Sequence, residues 1–246
     1  MKVLILAGGY GTRLYPLIKD IPKALLDVSG KTLVEHTLDK CAAIQSVDEV
    51  LVVTNAKFYD LMSKWAEGRN GKPFPIRVIN DGTRTPEERL GAIGDILFVL
   101  DRCQVSEDLL VLGSDNLYDQ GLTDFIQFAQ GKGSAVTVGA YDVESLEAAK
   151  KYGVIELDQA GRMLSLEEKP AQPRSSLISM CLYYYPRESF PMLRSFITET
   201  NHTDTTGGYI QWLYKKTAVY GFKFSGKWYD IGSLESYYDA QKHFAT

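Results

Sequence analysis

Residues 6–31, LAGGYGTRLYPLIKDIPKALLDVSGK, put Gly8, Gly9 and Gly11 straight after an apolar run and follow them with Arg13 and Lys23. Glycine amides unshielded by a Cβ can approach an anion closely. An arginine offers a planar fork for phosphate oxygens, and a lysine a mobile point charge. The chemistry indicated is phosphate binding, for which three arrangements compete. A dinucleotide fingerprint needs a third glycine where Leu14 stands, and an acid at the end of the second strand, where Thr54-Asn55 offers none. A Walker A loop would end in Gly30-Lys31-Thr32, but Leu25 occupies its first glycine position and no strand leads into it. Thr32 has a structural task instead, since Thr32-Leu33-Val34-Glu35 fits a helix capping box. The third arrangement uses the whole stretch. Glycine amides and Arg13 grip a phosphate chain, Lys23 reaches the next phosphate, and Pro16 and Pro22 stiffen the loop between them.

The stretch resembles the signature of the sugar nucleotidyltransferases, or nucleoside-diphosphate-sugar pyrophosphorylases. Their pattern runs L-A-G-G-x-G-T-R-L-x-P, a short spacer, then P-K-x-L-L-x-V-x-G-K, and every fixed position is present here. Later segments are similar to the family in the same order: LGAIGD (90–95), GSDNLY (113–118), YGVIELDQAGRMLSLEEKP (152–170) and WYDIGSLESYYDA (228–240). The general likeness is greatest to short glucose-1-phosphate thymidylyltransferases.

The resemblance implies transfer of a nucleotidyl group from an NTP to a sugar 1-phosphate, with release of pyrophosphate. It carries nucleotide binding onto Leu6, Ala7, Gly8, Gly9, Gly11, Thr12, Arg13, Asn80 and Gly91, and sugar-phosphate binding onto Gly153, Glu168 and Lys169. Asp115 and Asp230 are the implied ligands of Mg²⁺, and Arg13, Lys23, Asp115 and Lys169 the implied catalytic set. dTTP or UTP with a hexose 1-phosphate is the first expectation. Guanylyl or cytidylyl transfer to another sugar or polyol phosphate is the alternative, and a catalytically silent nucleotide-sugar sensor is the alternative from another class.

The residue chemistry agrees. An attacking phosphate is already ionised at neutral pH, so no general base is needed, and His36, His202 and His243 lie outside every motif. Two polyanions must instead be neutralised and aligned, which suits a divalent cation on carboxylates. Asp115 ends an apolar strand, and Asp230 stands among Trp228, Tyr229 and Ile231, where an unpaired charge is costly. Three departures from the family pattern stand out. Ser114 separates Gly113 from Asp115, Ser179-Met180-Cys181 replaces an Asn-Ala-Gly or Thr-Gly turn, and Asn80 stands where thymidylyl enzymes use Gln. Reaiming of the metal carboxylate and a reshaped sugar pocket are the expected consequences.

The elements that must position these groups alternate. Strands are read at Lys2–Ala7, 49–54, 76–80, 108–113 and 135–140, with helices at 32–43, 57–65, 91–100 and 122–130 between them. Alternation of this kind implies βαβ units, a mixed but mostly parallel sheet and helices on both faces: a Rossmann-like α/β fold. Further strands are expected at 153–157, 163–170, 177–186, 219–224 and 228–231, and helices near 187–198, 206–215 and after Ser233. No linker or repeat divides the chain, so 1–246 reads as one domain, with 1–112 the nucleotide half and 113–246 the sugar-phosphate half.

The chain of 246 residues is 45% hydrophobic and carries a formal net charge of −4. That balance argues against nucleic acid or an anionic membrane as partner. Residues 1–31 nevertheless hold Lys2, Arg13, Lys19, Lys23 and Lys31 against Asp20 and Asp27, a basic island suited to a small anion such as an NTP or a sugar 1-phosphate. Cys41, Cys103 and Cys181 are unpaired in spacing, and KVLILA is too short for a signal segment; both suggest a cytoplasmic protein. A homo-oligomer is compatible with the pattern.

Overall fold

The structure, a computed structural model, describes residues 1–69 and 73–244. In chain order its elements begin with β1 (Lys2–Ala7), a ribbon of β2 (Asp27–Val28) and β3 (Lys31–Thr32), α1 (Leu33–Ala42), β4 (Glu49–Thr54), α2 (Tyr59–Glu67) and β5 (Ile76–Asn80). Next come α3 (Ala92–Cys103), β6 (Leu109–Gly113), β7 (Asn116–Tyr118), α4 (Thr123–Gln130), β8 (Val136–Asp142) and α5 (Leu146–Ala149). β9 (Gly153–Leu157), β10 (Met163–Glu168), β11 (Leu177–Tyr185), α6 (Phe190–Thr200), α7 (Thr206–Leu213), β12 (Val219–Phe224), β13 (Trp228–Asp230) and α8 (Leu234–His243) complete it.

The sheet runs β10-β9-β11-β6-β1-β4-β5, with β8 on β11 and β12 on β8. β1, β4, β5 and β6 are mutually parallel; the central three are near-continuous apolar runs covered on both faces, while β5, IRVIN, lies at the edge. β8 leaves that series: it is antiparallel to β11 and parallel to β12. Alternate residues of β1 feed two cores. Val3, Ile5 and Ala7 pack with Val34, Leu38 and Phe125 on one face, and Leu4 packs with Ile93, Ile96 and Phe196 on the other. This is the mixed, mostly parallel sheet with helices on both faces that the alternation implied.

Register aligns the strand ends that matter. Ala7 faces Thr54, Thr54 faces Asn80, and Leu6 faces Gly113, so the segments after β1, β4, β5 and β6 emerge along one edge. Ligands of open α/β sheets bind at that edge. A third, smaller core ties the chain ends to it: Leu14, Ile18, Leu26, Val28 and Leu33 pack against Leu117, Ile231, Tyr237, Ala240 and Phe244. α8 thereby fixes the loop after the glycine turn, and the Tyr237 hydroxyl donates to the Asp27 carbonyl at 2.9 Å. The capping box is present: the Thr32 N–H and hydroxyl donate to Glu35 Oε2 at 2.8 and 2.9 Å.

Candidate active site

The glycine turn leaves β1 with Leu6 and Ala7 still in the strand. Its glycines have different reasons. A Cβ on Gly9 would meet nothing within 4 Å, whereas one on Gly11 would lie 2.1 Å from Ile18 Cδ1. Gly11 also sits at φ 59, the left-handed region that favours glycine. One on Gly8 would lie 2.6 Å from Asp95 Oδ2. Only Gly9 therefore leaves its side open for a phosphate; the other two make room for packing from behind. The Thr12–Leu14 turn buries Leu14 and leaves Thr12 and Arg13 exposed, which aims the guanidinium outward.

Asn80 and Gly91 have local tasks as well. Asn80 Oδ1 accepts the Gly82 N–H at 2.8 Å, leaving its amide nitrogen as the group that can face outward. A Cβ on Gly91 would come within 2.5 Å of Asp204 Cα and Thr203 O. The carbonyls of Asp204 and Thr203 accept the Ala92 and Ile93 N–H groups, each at 2.9 Å, and so cap α3.

The acids assemble around a ribbon that the alternating pattern does not reveal. β13 pairs antiparallel with β7, Asp230 opposite Asn116, and the Ile231 N–H donates to the Asp115 carbonyl at 2.9 Å. Ser114 extends the ladder, its N–H donating to Leu6 O at 3.1 Å, and the chain then turns so that Asp115 leads into β7. Lys23 Nζ lies 2.8 Å from Asp115 Oδ2. Burial pushes Asp115 up, but Lys23 and its hydrogen bond outweigh that and hold the carboxyl below its ordinary value. Asp230 lacks such a direct partner; burial and then the Asp115 charge push it up to about 6.

A relay orients Asp115. Trp228 Nε1 donates to Asn116 Oδ1 at 2.8 Å, and Asn116 Nδ2 donates to Asp115 Oδ1 at 2.9 Å. Trp228 is itself held between Tyr141 and Tyr152, with ring centroids 5.4 and 5.3 Å away. The donor set of Asp115 and Asp230 is hard oxygen, two half-buried carboxyls brought together beside the Lys23 ammonium. That chemistry fits Mg²⁺.

These acids open into a cavity of about 260 Å³ that also receives Arg13, Gly153, Glu168 and Lys169. Glu168 is pushed up by burial, against the pull of Lys169. It is clamped by two glycines: a Cβ on Gly153 would lie 2.9 Å from Glu168 Oε1, and one on Gly207 only 1.5 Å. Lys169 has φ 45, a left-handed backbone that costs a non-glycine residue about 1 kcal/mol. Its N–H donates to the Tyr152 carbonyl at 3.0 Å, which pins that conformation beside the cavity. Of the Ser179-Met180-Cys181 segment, Met180 is buried in the core, so Ser179 and Cys181 alone reshape the wall.

The structure thus brings Arg13, Lys23, Asp115, Asp230, Gly153, Glu168 and Lys169 together. Leu6, Ala7, Gly8, Gly9, Gly11, Thr12, Asn80 and Gly91 lie outside the cavity lining, toward the β1, β5 and α3 side. Sequence reasoning missed Lys151, Asn116, Tyr183 and the Thr205–Gly207 turn, which also line the cavity. Trp228 and Asn116 stood inside quoted motifs and could have been found there. Thr205–Gly207 carried no motif signal.

Two solved structures share the fold. One, a Bacillus anthracis protein named as a glucose-1-phosphate thymidylyltransferase and in complex with a sucrose, is 22% identical, with a TM-score of 0.80 over 98% of this chain and 94% of that one. The other, a UDP-glucose pyrophosphorylase complexed with UDP-glucose, is 23% identical, with a TM-score of 0.80 over 99% of this chain and 97% of that one. The family model described as nucleotidyl transferase matches residues 2–246. With the glycine turn, the paired acids and the Glu168-Lys169 cavity on one edge of the sheet, the chain belongs to the nucleotidyltransferase family.

Proposed function

We propose that this protein transfers a nucleotidyl group from an NTP to a sugar 1-phosphate, dTTP or UTP with a hexose 1-phosphate being the substrates favoured by the likeness to both solved relatives. The observation that carries the reading is the shared cavity, whose wall holds Asp115, Asp230, Glu168, Lys169 and Arg13 together. A sugar-phosphate oxygen attacks the α-phosphorus, and the bond from that phosphorus to the bridging oxygen of the β-phosphate breaks, releasing pyrophosphate. Lys169 holds the attacking phosphate and Glu168 accepts from sugar hydroxyls. Arg13 grips the departing phosphates, and Lys23 stabilises charge at the α-phosphate. Asp115 and Asp230 would hold Mg²⁺, which when bound supplies charge neutralisation at the α-phosphate. No side chain has to remove a proton, because the attacking group is already ionised.

Pyrophosphate release should be measured over a panel of NTPs and sugar 1-phosphates with Mg²⁺. Release with at least one pairing, lost on chelation and restored by Mg²⁺, is expected. Nucleotide binding with no turnover across the panel would overturn the reading in favour of a nucleotide-sugar sensor.

A further inference from the structure

A second pair of acids lies behind the glycine turn, away from the cavity. Asp95, in the first turn of α3, and Asp81, just past β5, both approach Gly8: their Oδ2 atoms stand 2.6 and 3.3 Å from where a Cβ on Gly8 would sit. The two residues are only 7% and 8% exposed. Asp81 Oδ1 accepts the Thr83 N–H and hydroxyl, both at 2.7 Å, whereas Asp95 Oδ1 has no hydrogen-bond partner among the described residues. No cation pairs with either acid among the described residues. The glycine turn brings Tyr10, whose hydroxyl donates to Thr83 at 3.3 Å, and the turn before α3 brings Glu87 and Glu88, whose charges bear on Tyr10. From the α6–α7 loop comes Asp204, already paired with Arg89 at 3.3 Å. Burial, and then the Asp81 charge, push Asp95 up to about 7; burial also raises Asp81.

We infer that the Asp81–Asp95 pair takes up a proton when phosphates dock on the glycine turn, so that nucleotide affinity falls as pH rises through neutrality. The inference rests on the nucleotidyltransferase reading. An ionised Asp95 behind Gly8 adds negative charge beside the place where an anion must sit, and protonation removes it. Ligand and proton then favour one another by linkage.

Calorimetric titration with UDP-glucose, dTDP-glucose and GDP-mannose between about pH 6 and about pH 8.5 tests this, because their diphosphates do not titrate in that window. Affinity should weaken about tenfold across it. The heat of binding near neutrality should differ between phosphate and Tris buffers, as proton uptake requires. Asp95→Asn should abolish both effects, and Asp81→Asn, by lowering the Asp95 midpoint, should move the transition to lower pH. The buffer comparison on the unaltered protein stands even where a variant does not fold. Affinity independent of pH with heat independent of buffer would overturn the inference alone. Failure to bind any of the three at any pH would instead remove the nucleotidyltransferase reading, and the inference with it.

Discussion

The molecule carries two acid pairs at the carboxyl edge of the same sheet, one half-buried and one buried, and they are built differently. Asp115 and Asp230 come from β6–β7 and β13 and share a cavity with Lys23 2.8 Å from one of them. Asp81, just past β5, and Asp95, in α3, sit behind Gly8 and pair with no cation among the described residues. The first pair includes a carboxyl held below its ordinary value, while both members of the second are raised. Burial is common to both and pushes every one of these carboxyls up, so it does not make the difference. The lysine does. A pair with a cation at hand stays charged enough to receive a divalent ion, while a pair without one relieves repulsion by holding a proton.

The largest expected effect tests the first pair. On the proposed metal role, Asp115→Asn and Asp230→Asn should each lower kcat about a thousandfold, and the double variant should lose far less than the product, the signature of two carboxyls acting on one ion. Independent multiplicative losses would show that they do not share a metal. Lys23→Ala asks whether the cation makes the difference. Turnover should fall about a hundredfold through loss of a charge-assisted contact of ~3 kcal/mol. In the absence of Mg²⁺ the variant should also unfold more readily at pH 8 than at pH 5, since Asp115 and Asp230 would then repel with no counterion. A stability difference from the parent that is the same at both pH values would break the comparison.

The first pair was legible in the sequence and the second was not. Asp115 and Asp230 stand in motifs, GSDNLY and WYDIGS, and the strands that carry them are apolar runs bounded by turns. The central parallel strands β1, β4 and β6 were legible for the same reason, since residues buried on both faces leave no polar alternation to confuse. The β7–β13 ribbon was partly hidden because β7 is three residues long and its partner lies more than a hundred residues away. The seat of the glycine-turn loop on α8 was hidden too, because contacts such as Tyr237 to Asp27 leave no local trace. Asp81 belongs to no motif and meets Asp95 only through the βα geometry. Asp95 did leave one sign: with Ile93, Ile96, Val99 and Leu100 it falls among the buried residues of α3, an acid at a core position. The same periodicity that located the helix could have marked it.

The smallest effect concerns stability and separates the pairs without any ligand. Asp95 has its folded value raised to about 7 from an ordinary 3.8, so its contribution to stability is fully present below the unfolded value and is lost as pH rises through the folded one. The loss therefore falls between about pH 4 and about pH 7. A shift of that size corresponds to at most about 4 kcal/mol, and burying an asparagine amide offsets much of what removing the charge gains. Asp95→Asn should accordingly stabilise the protein by about 1 kcal/mol at pH 8, or roughly 2–4 °C in Tm. At pH 4 it should give no gain. Thermal unfolding of the variant and its parent at the two pH values measures the difference directly. A gain at pH 4 as large as at pH 8 would mean that asparagine merely packs better, and that no proton is bound behind Gly8.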